Sequence, residues 1–365
     1  MRNNRLMSLD VFRGVTIASM ILVNNPGKGS AAYAPLHHAG WHGWTFTDLV
    51  FPFFLWIAGV AMTLSFSARI ARGESRSSLA LHTLRRCALL FAIPLLMGAF
   101  PHFQWDGLRI PGVLQRIAVC CLIAAVIYLT TSLRGRVFAI LFLLAVYWIL
   151  MTLVPVPGFG PGVLTKEGNF ARYIDGLFLT GHMYANTKTW DPEGIVSTIP
   201  AIATVLFGIL AGELLRTQRS EAEKTAWLFL SGNVLLLAGS IMDVWLPVNK
   251  SLWTSSYAVF MAGMASIVFA GFYLIVDVQG LRRWARPFAI YGMNAIALYV
   301  LSGALAHILS FWKIGGKSMQ SILYDLLFAP LASPASASLL WSLTEVAFFF
   351  AVALLMYRRK WFVRP

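Results

Sequence analysis

The stretch Phe46-Thr47-Asp48-Leu49-Val50-Phe51-Pro52-Phe53-Phe54-Leu55-Trp56-Ile57-Ala58-Gly59-Val60-Ala61-Met62-Thr63-Leu64-Ser65-Phe66-Ser67 carries one charge, Asp48, near its start. A helix needs about 20 mostly apolar residues to cross the hydrocarbon core, and there it satisfies its own backbone. The segment therefore reads as a transmembrane helix. Working outward, further candidate spans lie at 8–25, 83–101, 111–131, 136–154, 194–215, 225–246, 252–276, 286–311 and 337–357. The expectation is an all-α polytopic transmembrane helix bundle of about ten spans, with residues 1–365 forming a single integral membrane domain. The apolar stretch 318–331 is too short to span and reads as a re-entrant or interfacial helix.

Composition excludes the other classes. The chain is 58% hydrophobic and 12% charged, with 26 Phe, 13 Trp and a mean hydropathy of +0.70. A soluble globule so composed would expose apolar patches everywhere, so a soluble enzyme, a disordered protein and a secreted disulfide scaffold are ruled out. Cys87, Cys120 and Cys121 lie in apolar segments without metal-type spacing and read as packing residues. The first apolar stretch contains Asp10 and Arg13 and ends in Asn24-Asn25-Pro26. It lacks a small-residue cleavage site, so the first helix is expected to be retained.

The net charge of +14 serves topology and not nucleic acid, because no basic aqueous domain is present. Six alternate segments, from Arg2 and Arg5 through Arg69–Arg86, Arg134–Arg136, Arg216–Lys224 and Arg282–Arg286 to Arg358–Arg364, hold 19 of the 29 basic residues. The intervening connections hold 8, and Arg13 and Arg116 fall within spans. This bias is expected to place both termini on the cytoplasmic side of the membrane. The outward connections 26–45, 102–110, 155–193 and 312–336 are longer and richer in Gly, Pro, His, Trp and Asn, which is where chemistry tends to sit.

Several polar groups stand out against this apolar background. Asp10 and Arg13, at i,i+3, can pair on one face of the first helix, and Asn24 falls about 20° from Arg13 on the same face. They read either as a structural clamp or as a polar stripe for an anionic ligand. The next connection contains His37, His38 and His42, with Asp48 just inside the second helix. Solvated, idle histidines, a metal site and one catalytic histidine backed by Asp48 are the competing readings; the absence of acidic co-ligands disfavours metal. Gln115 and Arg116 lie about a turn into the fourth span, where an ionisable group suggests function or an ion pair with Asp10 or Asp48. Asp191 and Glu193 precede the sixth span as caps or ligands. Asn249 and Lys250 sit in a tight outward turn suited to an anion or a sugar.

Taken in order, Asp10-Val11-Phe12-Arg13-Gly14, Val23-Asn24, His38-Ala39-x-Trp41-x-Gly43, Asp48-Leu49-Val50, Arg109-Ile-Pro-Gly-Val-Leu-Gln-Arg116, Asp191-Pro192-Glu193-Gly194, Asn249-Lys250-x-Leu252-Trp253 and Gly292-Met293-Asn294 resemble the heparan-α-glucosaminide N-acetyltransferase family. The chain is similar to its short bacterial members, which lack the large luminal amino-terminal domain of the lysosomal enzyme. The Leu9-Asp10-x-x-Arg13-Gly14 opening is also similar to that of membrane acyltransferases that O-acetylate cell-surface glycans.

The resemblance implies transfer of acetyl from acetyl-CoA to a glucosamine-type amine or hydroxyl at the outer face, with no metal. The family's active-site histidine falls on His38, with Asn24 and Asp48 also matched, and His37 and His42 remain bystanders. The chemistry agrees with these residue types. His38 can act as base or acetyl carrier, Asp48 can orient it, and Asn24 can donate to the oxyanion. Coenzyme A phosphates call for Arg13 and Arg116, with Gln115, Asp10 and Asn25 nearby. The acceptor sugar or glycan would meet Trp41, Asp191, Glu193, Asn249, Lys250 and Asn294. A homo-oligomer is compatible with the sequence. The competing class is an N-acetylglucosamine-type permease of the same fold, which would need no His–Asp pair; a structural or assembly subunit is a third reading.

Overall fold

The computed structural model describes residues 6–100, 103 and 105–363. Arg2, Arg5 and Arg364 of the charge pattern, and Pro101, His102 and Gln104 around the second outward connection, lie outside them. Thirteen α-helices follow in chain order: α1 (Met7–Asn24), α2 (Phe46–Ile70), α3 (Arg76–Ala99), α4 (Val113–Thr130), α5 (Leu133–Thr152), α6 (Phe170–Phe178), α7 (Ile195–Leu215), α8 (Glu221–Met242), α9 (Ser255–Phe272, continuing in π-type turns to Val278), α10 (Arg286–Met293), α11 (Ala295–Phe311), α12 (Met319–Leu327) and α13 (Pro334–Arg358). The only sheet among the described residues is a two-stranded ribbon pairing Lys313–Ile314 with Lys317–Ser318.

Nine described helices are long and apolar enough to cross a membrane, or ten if the bent pair α10–α11 counts as one span. The span expected at 286–311 is that pair, bent by 75° at Asn294. Large apolar side chains on α3, α5 and α8, such as Leu89, Phe138 and Leu237, remain 53–68% exposed. Only a lipid environment accommodates such faces. The protein is an integral membrane helix bundle.

The Cα framework groups into two compact units. One comprises the described residues through Ala39, Trp44–Phe51 and those from Gly271 onward; the other comprises Gly40–Gly43 and Pro52–Ala270. In the first unit α1 and α10 touch backbone to backbone. A Cβ on Gly14 would lie 1.8 Å from the Phe288 carbonyl oxygen, and one on Gly292 would lie 2.0 Å from that of Asp10. Only glycine permits that approach, the usual means of helix association in lipid. Asp277 caps α1, accepting from the Met7 and Ser8 amides at 3.3 and 3.0 Å. The connection that follows α1 is laced to α13: the Lys28 amide donates to Ser338 Oγ (3.1 Å), and Ser342 Oγ donates to the Asn25 carbonyl (3.1 Å).

The second unit uses the same small-residue device. Cβ atoms on Gly59 and Gly208 would each lie 2.0 Å from a carbonyl oxygen of the facing helix, Val205 and Trp56 respectively. This seam draws α7 against α2. A cluster of Tyr147, Met151, Ala171, Val196, Leu246 and Leu252, with Trp41 packed against it, closes one end of the unit.

Candidate functional site

In the first unit, the start of α2 organises the histidine loop. Asp48, in the helix's first turn and 1% exposed, meets three N–H donors and the oxygen of a hydroxyl. Its Oδ1 lies 2.6 Å from His38 Nδ1, while Oδ2 accepts from the Ala39 and Thr45 amides at 3.0 Å each and lies 3.2 Å from Thr45 Oγ1. A carboxyl oxygen taking two amide N–H groups serves as an acceptor, so Nδ1–H of His38 is the donor. The lone pair is then left on Nε2. The His38 side chain is 52% exposed, which leaves that nitrogen open to a reactant.

The flanking backbone is fixed as well. Thr45 Oγ1 donates to the His37 carbonyl (2.5 Å) and Thr47 Oγ1 to that of Pro35 (3.2 Å). His38 is thus pinned on both sides, by His37 and Ala39. His37 itself turns away, its Nε2 lying 2.9 Å from the Ala32 carbonyl oxygen.

The remaining first-unit candidates fall into two kinds. Arg13 Nη1 lies 3.3 Å from Asp10 Oδ1, the expected i,i+3 pair, with Asp10 buried and Arg13 partly exposed. Asn24, the last residue of α1, is exposed. Asn25 is buried, its amide donating back to the Ile21 carbonyl (3.1 Å). Both amide atoms of Asn294 are engaged: Nδ2 donates to the Trp361 carbonyl and Oδ1 accepts from the Val363 amide, each at 3.0 Å.

In the second unit the charged candidates form a closed lattice. Arg109 Nε and Nη2 grip Asp191 at 2.8 and 2.6 Å, and Nη2 also reaches Glu193 at 2.5 Å. Its neighbours are fastened to His182: the Ile110 amide donates to the His182 carbonyl (2.9 Å), and His182 Nδ1 donates to the Leu108 carbonyl (2.8 Å). Lys250 Nζ approaches Glu193 Oε1 at 3.9 Å. Burial opposes the Glu193 charge, but Lys250, Arg116 and Arg109 outweigh it and hold its carboxyl below the usual range.

Asp175, which the sequence reading had not singled out, accepts from the Ile195 and Asp191 amides at 3.0 and 3.1 Å. It therefore provides the cap for α7 that Asp191 and Glu193 had been considered for. Burial pushes its pKa up to about 6. Its only early signal is an acid within a short amphipathic segment.

Asn249 is fully buried in its turn. Its Oδ1 accepts from the Leu252 amide (2.9 Å), and its Nδ2 lies 3.4 Å from His42 Nδ1. Trp41 donates through Nε1 to the Leu164 carbonyl (2.8 Å) and packs edge-on against Trp190.

Arg116 differs from these neighbours. It is 2% exposed, donates through Nη2 to Ser197 Oγ and the Gly194 carbonyl, and lies over the Trp253 ring at 5.1 Å. Its Nε and Nη1 have no hydrogen-bond partner among the described residues. Gln115 is buried beside it, with Oε1 only 2.6 Å from where a Cβ on Gly112 would stand.

Residues 5–242 match the family model for heparan-alpha-glucosaminide N-acetyltransferase, catalytic. The chain is 32% identical to a human protein named heparan-alpha-glucosaminide N-acetyltransferase and 29% identical to its mouse counterpart, over 98% of this chain in both cases. It spans about six-tenths of those relatives, 59% and 60% of their lengths. The matched region covers α1 to α8 and contains His38, Asp48, Arg109, Arg116, Asp191 and Glu193. On that coverage the chain belongs to the heparan-alpha-glucosaminide N-acetyltransferase catalytic family.

Proposed function

We propose that this protein is a membrane acetyltransferase moving acetyl from acetyl-CoA to an amino or hydroxyl group of a glucosamine-type sugar at the outer face of a bacterial inner membrane. The observation that carries the reading is the His38–Asp48 pair, a 2.6 Å contact between a buried carboxylate and a half-exposed imidazole. Such a pair has the two features acyl transfer needs: a basic nitrogen open to a reactant, and a partner that supports the imidazolium.

In the direct route the acceptor nitrogen attacks the thioester carbonyl carbon while His38 Nε2 takes the acceptor's proton. The carbon–sulfur bond then breaks, and the imidazolium returns the proton to the leaving thiolate. Asn24, exposed at the end of α1, is assigned as donor to the carbonyl oxygen. Within the second unit, Arg116 is assigned to the donor's phosphates, a choice supported by its buried Nε and Nη1, which lack a hydrogen-bond partner among the described residues. Asp191, Glu193 and Asn249 use their polar groups on the protein itself, so their contribution to the acceptor side is to shape it, while Lys250, 3.9 Å from Glu193, keeps ammonium protons for an acceptor.

Purified protein incubated with radiolabelled acetyl-CoA and glucosamine should release free thiol and form labelled N-acetyl product. If neither appears while proteoliposomes import N-acetylglucosamine, the protein is a permease and the acetyltransferase reading fails.

A further inference from the structure

The described end of the chain is held in place. Helix α13 closes with a left-handed residue at Lys360 (φ 58°), after which the Trp361 amide donates back to the Met356 carbonyl at 2.8 Å. This is the Schellman reversal, in a position where glycine is the usual occupant. The reversed segment runs to Asn294, whose amide accepts from Val363 and donates to Trp361. Asn294 is 1% exposed and marks the 75° break between α10 and α11. One buried amide thus ties the end of α13 to the end of the half-helix α10.

That tie gathers a group of exposed cations and aromatics. Arg358, Arg359 and Lys360 sit at the reversal, Arg282 and Arg283 in the turn leading into α10, and Arg286 at its first position; all are exposed. Trp361 is 59% exposed and Trp284 44%. Neither 281–300 nor 346–363 contains an acidic residue. Asp277, 4.0 Å from Arg282, is already committed to the α1 amides. Six cations interleaved with exposed indoles match the chemistry of an anionic headgroup lying over acyl chains.

We propose that this basic, aromatic surface, formed by the start of α10 and the Asn294-bound end of α13, is a binding site for an anionic phospholipid such as phosphatidylglycerol. Polybasic segments gain about 1 kcal/mol per cation near an anionic surface, or roughly fivefold in affinity each. The assignment is independent of the acetyl-transfer reading.

The test uses the full-length protein in mixed micelles of phosphatidylglycerol and phosphatidylcholine, with bound lipid counted by native mass spectrometry. The wild type should retain phosphatidylglycerol at least about tenfold over phosphatidylcholine. The triple variant R358Q/R359Q/K360Q should lose most of that preference, while R358K/R359K/K360R keeps it. Raising salt from low to about 0.5 M should weaken the wild-type preference, since the contact is electrostatic and exposed. This salt arm decides the matter even if the glutamine variant does not fold. No headgroup preference in the wild type, indifference to salt, or full retention by a folded glutamine triple would overturn the site. Displacement of the lipid by an equal concentration of glycerol 3-phosphate would also overturn it, because the surface would then recognise a soluble phosphate.

Discussion

The His38–Asp48 pair and the Arg109 lattice have similar ingredients and opposite finishes. Asp48 saturates its own oxygens and leaves one imidazole nitrogen open on a half-exposed side chain. Arg109, Asp191 and Glu193 bond to one another, with Lys250 standing 3.9 Å off as a further cation. A group whose bonding capacity is spent internally can shape a site; reacting with something else requires unspent capacity. By that criterion the first cluster is assigned chemistry and the second architecture. Arg116, with two nitrogens that lack a hydrogen-bond partner among the described residues, stands apart from its own surroundings.

The contrast breaks first at His38. His38→Ala should lower acetyl-transfer turnover by roughly 10²–10⁴, the usual contribution of a positioned base, while His37→Ala and His42→Ala keep most of theirs. A fully active, folded His38→Ala protein would remove the basis for separating the two clusters. Next comes Arg109→Met, which strands Asp191 and Glu193 as buried charges. Its expected cost is about 3 kcal/mol of unfolding stability, the low end for a broken buried pair because Arg109 is 31% exposed. Adding Glu193→Gln should recover part of that loss. Wild-type stability in Arg109→Met, measured by denaturant unfolding in detergent, would mean that the lattice does not hold the fold.

A smaller effect is expected from Asp48→Asn. The amide keeps the shape but presents an NH₂ to a site with amide donors and can favour the wrong tautomer. Turnover should fall by at least about tenfold with little change in the apparent affinity for acetyl-CoA. An unchanged pH–rate profile in this variant would show that Asp48 does not act through His38.

How much of this could be read from the sequence depended on distance along the chain. Spans declare themselves in 20-residue windows, and the contact between His38 and Asp48 lies within ten residues, on a loop already marked by three histidines. The break at Asn294 does not show, because the window 286–311 is apolar enough on average to read as one span. At the break Asn294 bonds to Trp361 and Val363, nearly seventy residues away, a contact that no local window reveals. For the same reason Asp191 and Glu193 read as caps of α7 when the cap comes from Asp175 on α6, and the partner of the buried carboxylates is Arg109, which no local pattern links to them. Gly14 and Gly292 were visible as motif letters. Their reason, two backbones in contact, needed the third dimension.

The finest test of the closed lattice is a pH slope. Asp175 has a pKa of about 6 in the folded protein, raised from an ordinary 3.8 by burial. Between those values the native state binds more protons than the unfolded chain, so stability falls as pH rises through that window and levels off above it. Glu193 runs the other way: its pKa is lowered from 4.5, so its contribution is complete above that value and is lost only as pH drops below it. Between about pH 5 and 6.5, then, the lattice's residual slope belongs to Asp175. One proton limits it to about 1.4 kcal/mol per pH unit. Asp175→Asn should remove the slope and add a pH-independent loss of about 1 kcal/mol, since the amide can accept from only one of the Ile195 and Asp191 N–H groups. The difference in unfolding free energy between wild type and variant, taken at pH 5 and pH 7, cancels the titration of the histidines common to both. The wild type's advantage should shrink toward pH 7. An advantage that stays constant, or grows, would show that Asp175 is ionised throughout and that the lattice carries a full third negative charge.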